Sequence, residues 1–496
     1  METYLWYSIL FGSLVIYSLL VAYLSIRWSK TLFYYKKYLQ YPQVHRYLRG
    51  TAKFTGSDMA LVLMAWIVNA LCVGVGVKDR TGVMKRSGLM ATANMIPLAF
   101  GSQVAFIADL FGIEPELYRR AHNWIGRILI AEGVLHAVLA TTLVENWYRD
   151  VGSLLVLVVL SAIALGSVPF VQTHFYEIFA RCHFMLVVTL MIVAWKHLAP
   201  SSPLKPPKLY LLLSSCLWAS NQLLRYVYMV YRNIKYRSPR TFVSSANIKP
   251  MEGAVLVEIT PARTWKFEAG QFVYLRLPGV SRTAFVEVHP FFVMWWSRDK
   301  FELLIESQRG LTASLQHYAQ ELGSKKSNTM AIIDGPYGKK VDLTRFETVM
   351  LFATGIGIAG QLSYLKSLMN IKDKRATSIK RITLFWEIEH LGHLQWVTQK
   401  LDSLLEKDVS YILKIELYVR QSRISETINI GDHELLHVNY QDMDPKSLIE
   451  GEISRSKGQM VVSLCVCHQV AETIRRTVTE NMDIGVRLVE LDFRPT

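Results

Sequence analysis

Seven apolar stretches, at about 4–26, 58–77, 87–109, 121–143, 151–171, 177–198 and 209–230, fill the first half of the chain. A hydrocarbon core about 30 Å thick takes about 20 helical residues to cross. Within it, each segment must satisfy its own backbone polar groups. The stretches therefore predict a bundle of membrane-spanning helices. Composition fits a membrane half joined to a soluble one. With 51% hydrophobic residues the chain is too apolar for an ordinary soluble protein, and with 19% charged residues it is too polar to lie wholly in lipid.

An odd number of spans puts the termini on opposite sides. Arg27, Lys30, Lys36, Lys37, Arg46, Arg49 and Lys53 follow the first stretch, and Arg232, Lys235, Arg237 and Arg240 follow the last. Lys and Arg mark cytosolic loops, so the N-terminus is expected outside and the second half in the cytosol. Lys78, Arg80, Lys85 and Arg86 run against this bias. The net charge of +15 is read as membrane orientation and not as a nucleic-acid surface, because the basic residues are spread among apolar spans. Tyr4 to Ser25 lacks a basic leader region and reads as a retained first span. The five cysteines, Cys72, Cys182, Cys216, Cys465 and Cys467, offer neither a disulfide framework nor a paired metal motif.

Ionisable residues within spans are costly and mark function. His122 and His136 lie in the fourth stretch, His183 and His197 in the sixth, each pair 14 residues apart. That spacing is about 21 Å along a helix and keeps both rings within about 40° of one face. Two such helices side by side place one histidine pair near each membrane surface. Each pair can ligate a haem iron from both sides, and a six-coordinate haem suits electron transfer. Hydrogen bonding within the bundle is the plainer alternative. Arg127, one turn beyond His122, is a candidate haem-propionate partner, with snorkelling as the alternative. His174, in the polar stretch between spans, is read as interfacial and not as a ligand.

After about residue 240 the pattern changes. Ala254 to Ile259 and Gln271 to Leu275 read as short strands between turn residues, which suggests an antiparallel β-barrel. Beyond about 345, apolar strands alternate with amphipathic helices in the βαβ pattern of a nucleotide-binding sheet. Gly355-Ile356-Gly357-Ile358-Ala359-Gly360 follows one such strand and opens a helix, a setting in which glycines admit a pyrophosphate.

Several segments together resemble the fungal ferric reductases, which share a superfamily with the superoxide-producing NADPH oxidases. They are Ala121 to Arg127, Phe175 to Phe179 ahead of His183, Phe267 to Val273 followed by His289-Pro290-Phe291, Gly335 to Gly338, and the glycine loop. The resemblance covers about residue 85 to the C-terminus. It implies an α-helical multi-pass membrane domain plus a cytosolic ferredoxin–NADP reductase-like module. The domains expected are N-terminal segments with a basic loop (1–84), a haem-binding domain (85–235), an FAD-binding β-barrel (236–344) and an NAD(P)-binding α/β domain (345–496).

The same resemblance implies site residues. His122 and His183 bind an inner haem b, and His136 and His197 an outer one. His289, Pro290, Phe291, Gly310, Leu311, Thr312 and Phe493 bind FAD, and Thr354, Gly355, Gly357, Gly360 and Cys465 bind NADPH. Electrons would pass to ferric chelates, or to cupric ions, outside the plasma membrane. Two departures stand out: Phe292 occupies a position where the family has Thr or Ser, and Val466 one where it has Gly. Two other readings follow: a superoxide-producing oxidase, and a catalytically degenerate haem protein with a regulatory role.

Overall fold

In the computed structural model the described parts of the apolar stretches in the first half are largely helical. Residues 34–41, 55–100, 115–145, 147, 150–198, 201–236, 242–280, 289–308, 310–323, 328–338, 341–371, 378–420, 427–430, 435–456 and 458–491 are described. The expected span at 4–26, residues 101–109 of the third expected span and the candidate Phe493 lie outside them. The chain forms two units, Met1–Arg225 and Tyr226–Thr496.

The first unit contains α1 (Gly56–Gly74), α2 (Arg80–Leu98), α3 (Pro115–Leu143), α4 (Val151–Gly166), α5 (Pro169–His174), α6 (Tyr176–His197) and most of α7 (Lys208–Asn233). Thr55 and Asp58 build a capping box at the start of α1, and Asp79 and Asp150 cap α2 and α4. Among the described residues, three helices are long and apolar enough to cross a membrane: Gly56–Gly74, Tyr118–Leu143 and Ile178–His197. The fifth stretch is not one helix. It breaks after Gly166, and Pro169 opens α5, because proline cannot continue a helix but fits its first turn. Within the basic cluster that runs against the charge bias, one residue has a local partner. Arg80, Lys85 and Arg86 are helical, and the Arg86 guanidinium reaches the carbonyl oxygens of Val75 and Cys72 at the end of α1.

Met95, Leu129, Leu160, Ile163, Leu190, Val193 and Leu211 pack into the interior of this unit. Leu63, Ile67, Val138, Val158, Leu165 and Ile192 are exposed, as lipid-facing side chains must be. Buried polar groups are tied together: Asn94 Nδ2 donates to Asn69 Oδ1 (2.9 Å) and Glu132 Oε2 (2.8 Å), and Arg120 pairs with Asp58 at 3.2 Å.

The second unit begins with a sheet of β1 (Ser245–Met251), β2 (Ala254–Thr260), β3 (Phe272–Arg276), β4 (His289–Trp296) and β5 (Phe301–Glu306), with helix α8 (Leu311–Leu322) before β6 (Thr329–Met330) and β7 (Ile332–Tyr337). The order is β6-β1-β2-β5-β4-β3-β7, and the pairings are antiparallel. Alternate inward residues such as Val255, Val257, Ile259, Val273, Leu275, Leu303 and Ile305 form its core.

There follow β8 (Thr348–Thr354), α9 (Ile358–Met369), β9 (Arg381–Ile388), α10 (Thr398–Lys407), β10 (Leu413–Val419), β11 (Thr427–Ile430), β12 (Leu436–Asn439), α11 (Pro445–Arg455), β13 (Met460–Cys465), α12 (His468–Glu480) and β14 (Val486–Glu490). The order β11-β12-β10-β9-β8-β13-β14 is parallel except at the β11–β12 edge. Strand β8 is buried along its whole length, as expected for the middle of a parallel sheet covered on both faces. An antiparallel barrel followed by this sheet is the ferredoxin–NADP reductase-like arrangement. The chain leaves β8 in one direction and returns on its other side at β13. The topological switch point, where such sheets bind ligands, therefore lies beyond the ends of these two strands.

Candidate functional site

The four membrane histidines meet as two pairs. His122 on α3 and His183 on α6 have ring centres 6.4 Å apart with planes at 74°. Farther along the same helices, His136 and His197 are 6.3 Å apart at 78°. A metal–imidazole bond is about 2.0 Å, and a ring nitrogen lies about 1.1 Å from its ring centre. Two imidazoles ligating one metal from opposite sides therefore have centres about 6.2 Å apart. Both pairs fit that separation.

Ring tautomers fit as well. His136 Nδ1 is 2.8 Å from the Met84 carbonyl oxygen, which only accepts, so Nδ1 carries the hydrogen and Nε2 keeps its lone pair. His197 Nδ1 is 3.0 Å from Ser153 Oγ and 3.4 Å from Asp150 Oδ2. The buried Nδ1 atoms of His122 and His183 have no hydrogen-bond partner among the described residues. Sequence reading missed Gly88 on α2. A Cβ there would lie 2.8 Å from His136 Nδ1, so the ring occupies the space that the absent side chain leaves. An uninterrupted helical pattern across a glycine was the available signal. Arg127 lies over the Trp124 ring at 4.4 Å. His174 Nδ1 is 3.0 Å from the Phe170 carbonyl oxygen, one turn back on the same helix.

The nucleotide motifs gather in the second unit. Gly355, directly after β8, has φ 48°, a left-handed backbone that glycine takes without strain. Thr354 Oγ1 accepts from the Cys467 amide at 2.8 Å, which joins the ends of β8 and β13 at the switch point. Trp386 Nε1 donates to the Gly355 carbonyl oxygen at 3.0 Å. Gly360 has a packing role. A Cβ there would meet Leu491 Cδ1 at 3.2 Å, Cys465 Sγ at 3.3 Å and Phe292 Cδ2 at 3.5 Å. The two departures, Phe292 and Val466, are buried side chains, 8% and 3% exposed. Phe292 thus sits at the meeting point of the barrel, α9 and β13.

His289, Pro290 and Phe291 lie on β4 opposite Leu275, Tyr274 and Val273 of β3. Gly310 (φ 65°) precedes α8, where no side chain caps the first amides, and Thr312 Oγ1 accepts from the Gln308 amide at 3.0 Å. Such a start suits a pyrophosphate. Glu387 is buried and accepts from the Met443 amide at 3.0 Å. Lys366 on α9 stands 4.6 Å and 4.3 Å from the ring centres of Trp295 and Trp296. Burial, with Lys400 adding to it, lowers its pKa to about 8.

Helices long and apolar enough to cross a membrane thus precede a ferredoxin–NADP reductase-like fold. Residues 242–341 match an FAD-binding domain family, and residues 346–479 match the ferric reductase NAD binding domain. The chain is 24% identical over 449 residues to the "Probable ferric reductase transmembrane component" of Candida albicans, covering 82% of this chain and 64% of that protein. It is 24% identical over 447 residues to "Ferric/cupric reductase transmembrane component 1" of the same species, covering 82% and 56%. Against "Ferric reductase transmembrane component 6" of Saccharomyces cerevisiae it is 26% identical over 373 residues, covering 71% and 49%. The resemblance read from the motifs is borne out, although the chain spans only 49% to 64% of these relatives' length. The solved "Ferredoxin reductase in carbazole 1,9a-dioxygenase" aligns with 51% of this chain and 72% of its own, at 11% identity and a TM-score of 0.35.

Proposed function

We propose that this chain is a membrane ferric-chelate reductase. It takes electrons from NADPH in the cytosol and delivers them across the plasma membrane to a ferric chelate, with cupric ions as a second acceptor. The observation that carries this reading is the pair of ring separations, 6.4 Å and 6.3 Å, each the span of a metal held between two imidazoles. The FAD-binding and ferric reductase NAD-binding matches supply the electron-entry end.

When bound, FAD would accept the two electrons of one hydride and release them singly, and two b-type haems would supply one-electron relay sites. The chain's own residues bind and orient these groups. His122 and His183 hold the inner haem, His136 and His197 the outer, and Arg127 is available to a propionate. His289, Pro290, Phe291, Gly310, Leu311, Thr312 and Phe493 bind FAD. Thr354, Gly355, Gly357, Gly360 and Cys465 line the nicotinamide nucleotide site. In this reading the N-terminus is outside, and the barrel (236–344) and α/β domain (345–496) are cytosolic. A second reading, a haem protein with a regulatory role, is favoured by Phe292, whose buried ring stands where the family carries a hydroxyl.

The test is the reduced-minus-oxidised spectrum of the purified full chain without oxygen. Haem bands that appear with NADPH and vanish on adding Fe(III)-EDTA are expected. Bands that need dithionite would favour the regulatory reading, and no haem bands under either reductant would overturn both.

A further inference from the structure

The two histidine pairs differ in what stands behind the rings. At the first pair, neither Nδ1 has a hydrogen-bond partner among the described residues. At the second, both are engaged. Asp150 caps α4 by accepting from the amides of Gly152 (3.1 Å) and Ser153 (3.0 Å), and it also accepts the Ser153 hydroxyl. With that hydrogen committed to the carboxylate, Ser153 Oγ presents a lone pair to His197 Nδ1 at 3.0 Å. A chain of hydrogen bonds thus runs from His197 through Ser153 to a carboxylate, with Asp150 Oδ2 itself 3.4 Å from Nδ1. The opposite ring, His136, is tied to the Met84 carbonyl.

We propose that Ser153 and Asp150 are positioning residues for His197 that lower the reduction potential of the His136/His197 haem. The inference rests on the haem reading above. A histidine ligand that donates its second N–H toward a carboxylate is held in one orientation and becomes a stronger electron donor. A more electron-rich iron favours the ferric over the ferrous state, so the one-electron potential falls. Among the described residues the first pair has no such backing, so the device acts on one haem alone. In the proposed orientation this is the haem that faces the external acceptor, and a lower potential makes it the stronger reductant there.

Potentiometric titration of the purified full chain, followed by haem absorbance, tests the proposal. Wild type should show two one-electron steps. Ser153→Ala should move one of them to more positive potential and leave the other in place. Outer partners of metal-bound histidines change affinity or activity on the order of tenfold. For a single electron a tenfold change in equilibrium corresponds to about 59 mV. Asp150→Asn should move the same step in the same direction. Asparagine is also a good N-cap, so the start of α4 stays intact. Ser153→Thr keeps a hydroxyl and should titrate like wild type. Two haems with both steps unmoved in Ser153→Ala and Asp150→Asn would overturn this proposal alone, as would a Thr variant shifted as far as Ala. A wild-type chain without haem bands would overturn the reading beneath it and this proposal together.

Discussion

Replacing Gly88 by alanine tests the proposed haem site without touching a proposed ligand. A Cβ at this position of α2 would stand 2.8 Å from His136 Nδ1, 3.0 Å from Cε1 and 3.3 Å from Cγ. Ordinary contact begins near 3.4 Å, so the ring must retreat by about 0.6 Å, well beyond the tolerance of about 0.2 Å in a metal–ligand bond. Retreat also strains the 2.8 Å hydrogen bond from Nδ1 to the Met84 carbonyl, which is worth about 0.5–1.5 kcal/mol net. Alanine offsets much of that, because it exceeds glycine in a helix interior by about 1 kcal/mol. Stability should therefore change little while cofactor binding changes much. The assay is haem per protein by absorbance on the purified chain. Gly88→Ala should fall from two haems toward one. Gly74→Ala, at a glycine whose added Cβ meets nothing within 4 Å, should keep two. A Gly88→Ala protein with two haems and an unaltered spectrum would refute the placement of His136 as a ligand.

Two further outcomes concern the reductase unit. The folded-state pKa of Lys366, about 8, is below the ordinary 10.5. Between those values the unfolded chain binds more protons, so this residue's contribution makes stability rise with pH across the window. Thermal unfolding of Lys366→Met against wild type should show a difference that changes between pH 8 and 10.5; a constant difference would contradict the burial argument. Gly270 has φ 81°, and a Cβ there would stand 2.6 Å from the Tyr364 hydroxyl. Gly270→Ala should lower stability by at least about 1–2 kcal/mol. Tyr364→Phe should recover part of that, because it removes an oxygen that has no hydrogen-bond partner among the described residues. Strict additivity in this cycle would show that the clash is not the cause.

Much of the architecture can be read from residues close together in the chain. An apolar run long enough to cross a bilayer, alternation along a strand and a glycine loop between strand and helix are local patterns set by backbone geometry. The histidine pairs are legible for the same reason. A helix converts a 14-residue interval into a fixed rise and rotation, so two such intervals on two helices predict which rings meet, and His122 does face His183 while His136 faces His197.

Other features were decided only when distant segments packed together. The break of the fifth span at Gly166 and the early start of α2 at Arg80 depend on capping, proline and the reach of Arg86 to the end of α1. The hydrogen-bond partners of His136 and His197 lie 52 and 44 residues away in the chain, at Met84 and Ser153. Gly88 has meaning only because the His136 ring packs against it, and Phe292 only because β4 meets α9 and β13 around Gly360. Sequence by itself determined which residues share a helix face or a strand, because those periods are intrinsic to one segment. Tertiary structure alone decided what stands behind each histidine, because a hydrogen bond or a steric limit depends on atoms that only the folded chain brings within about 3 Å.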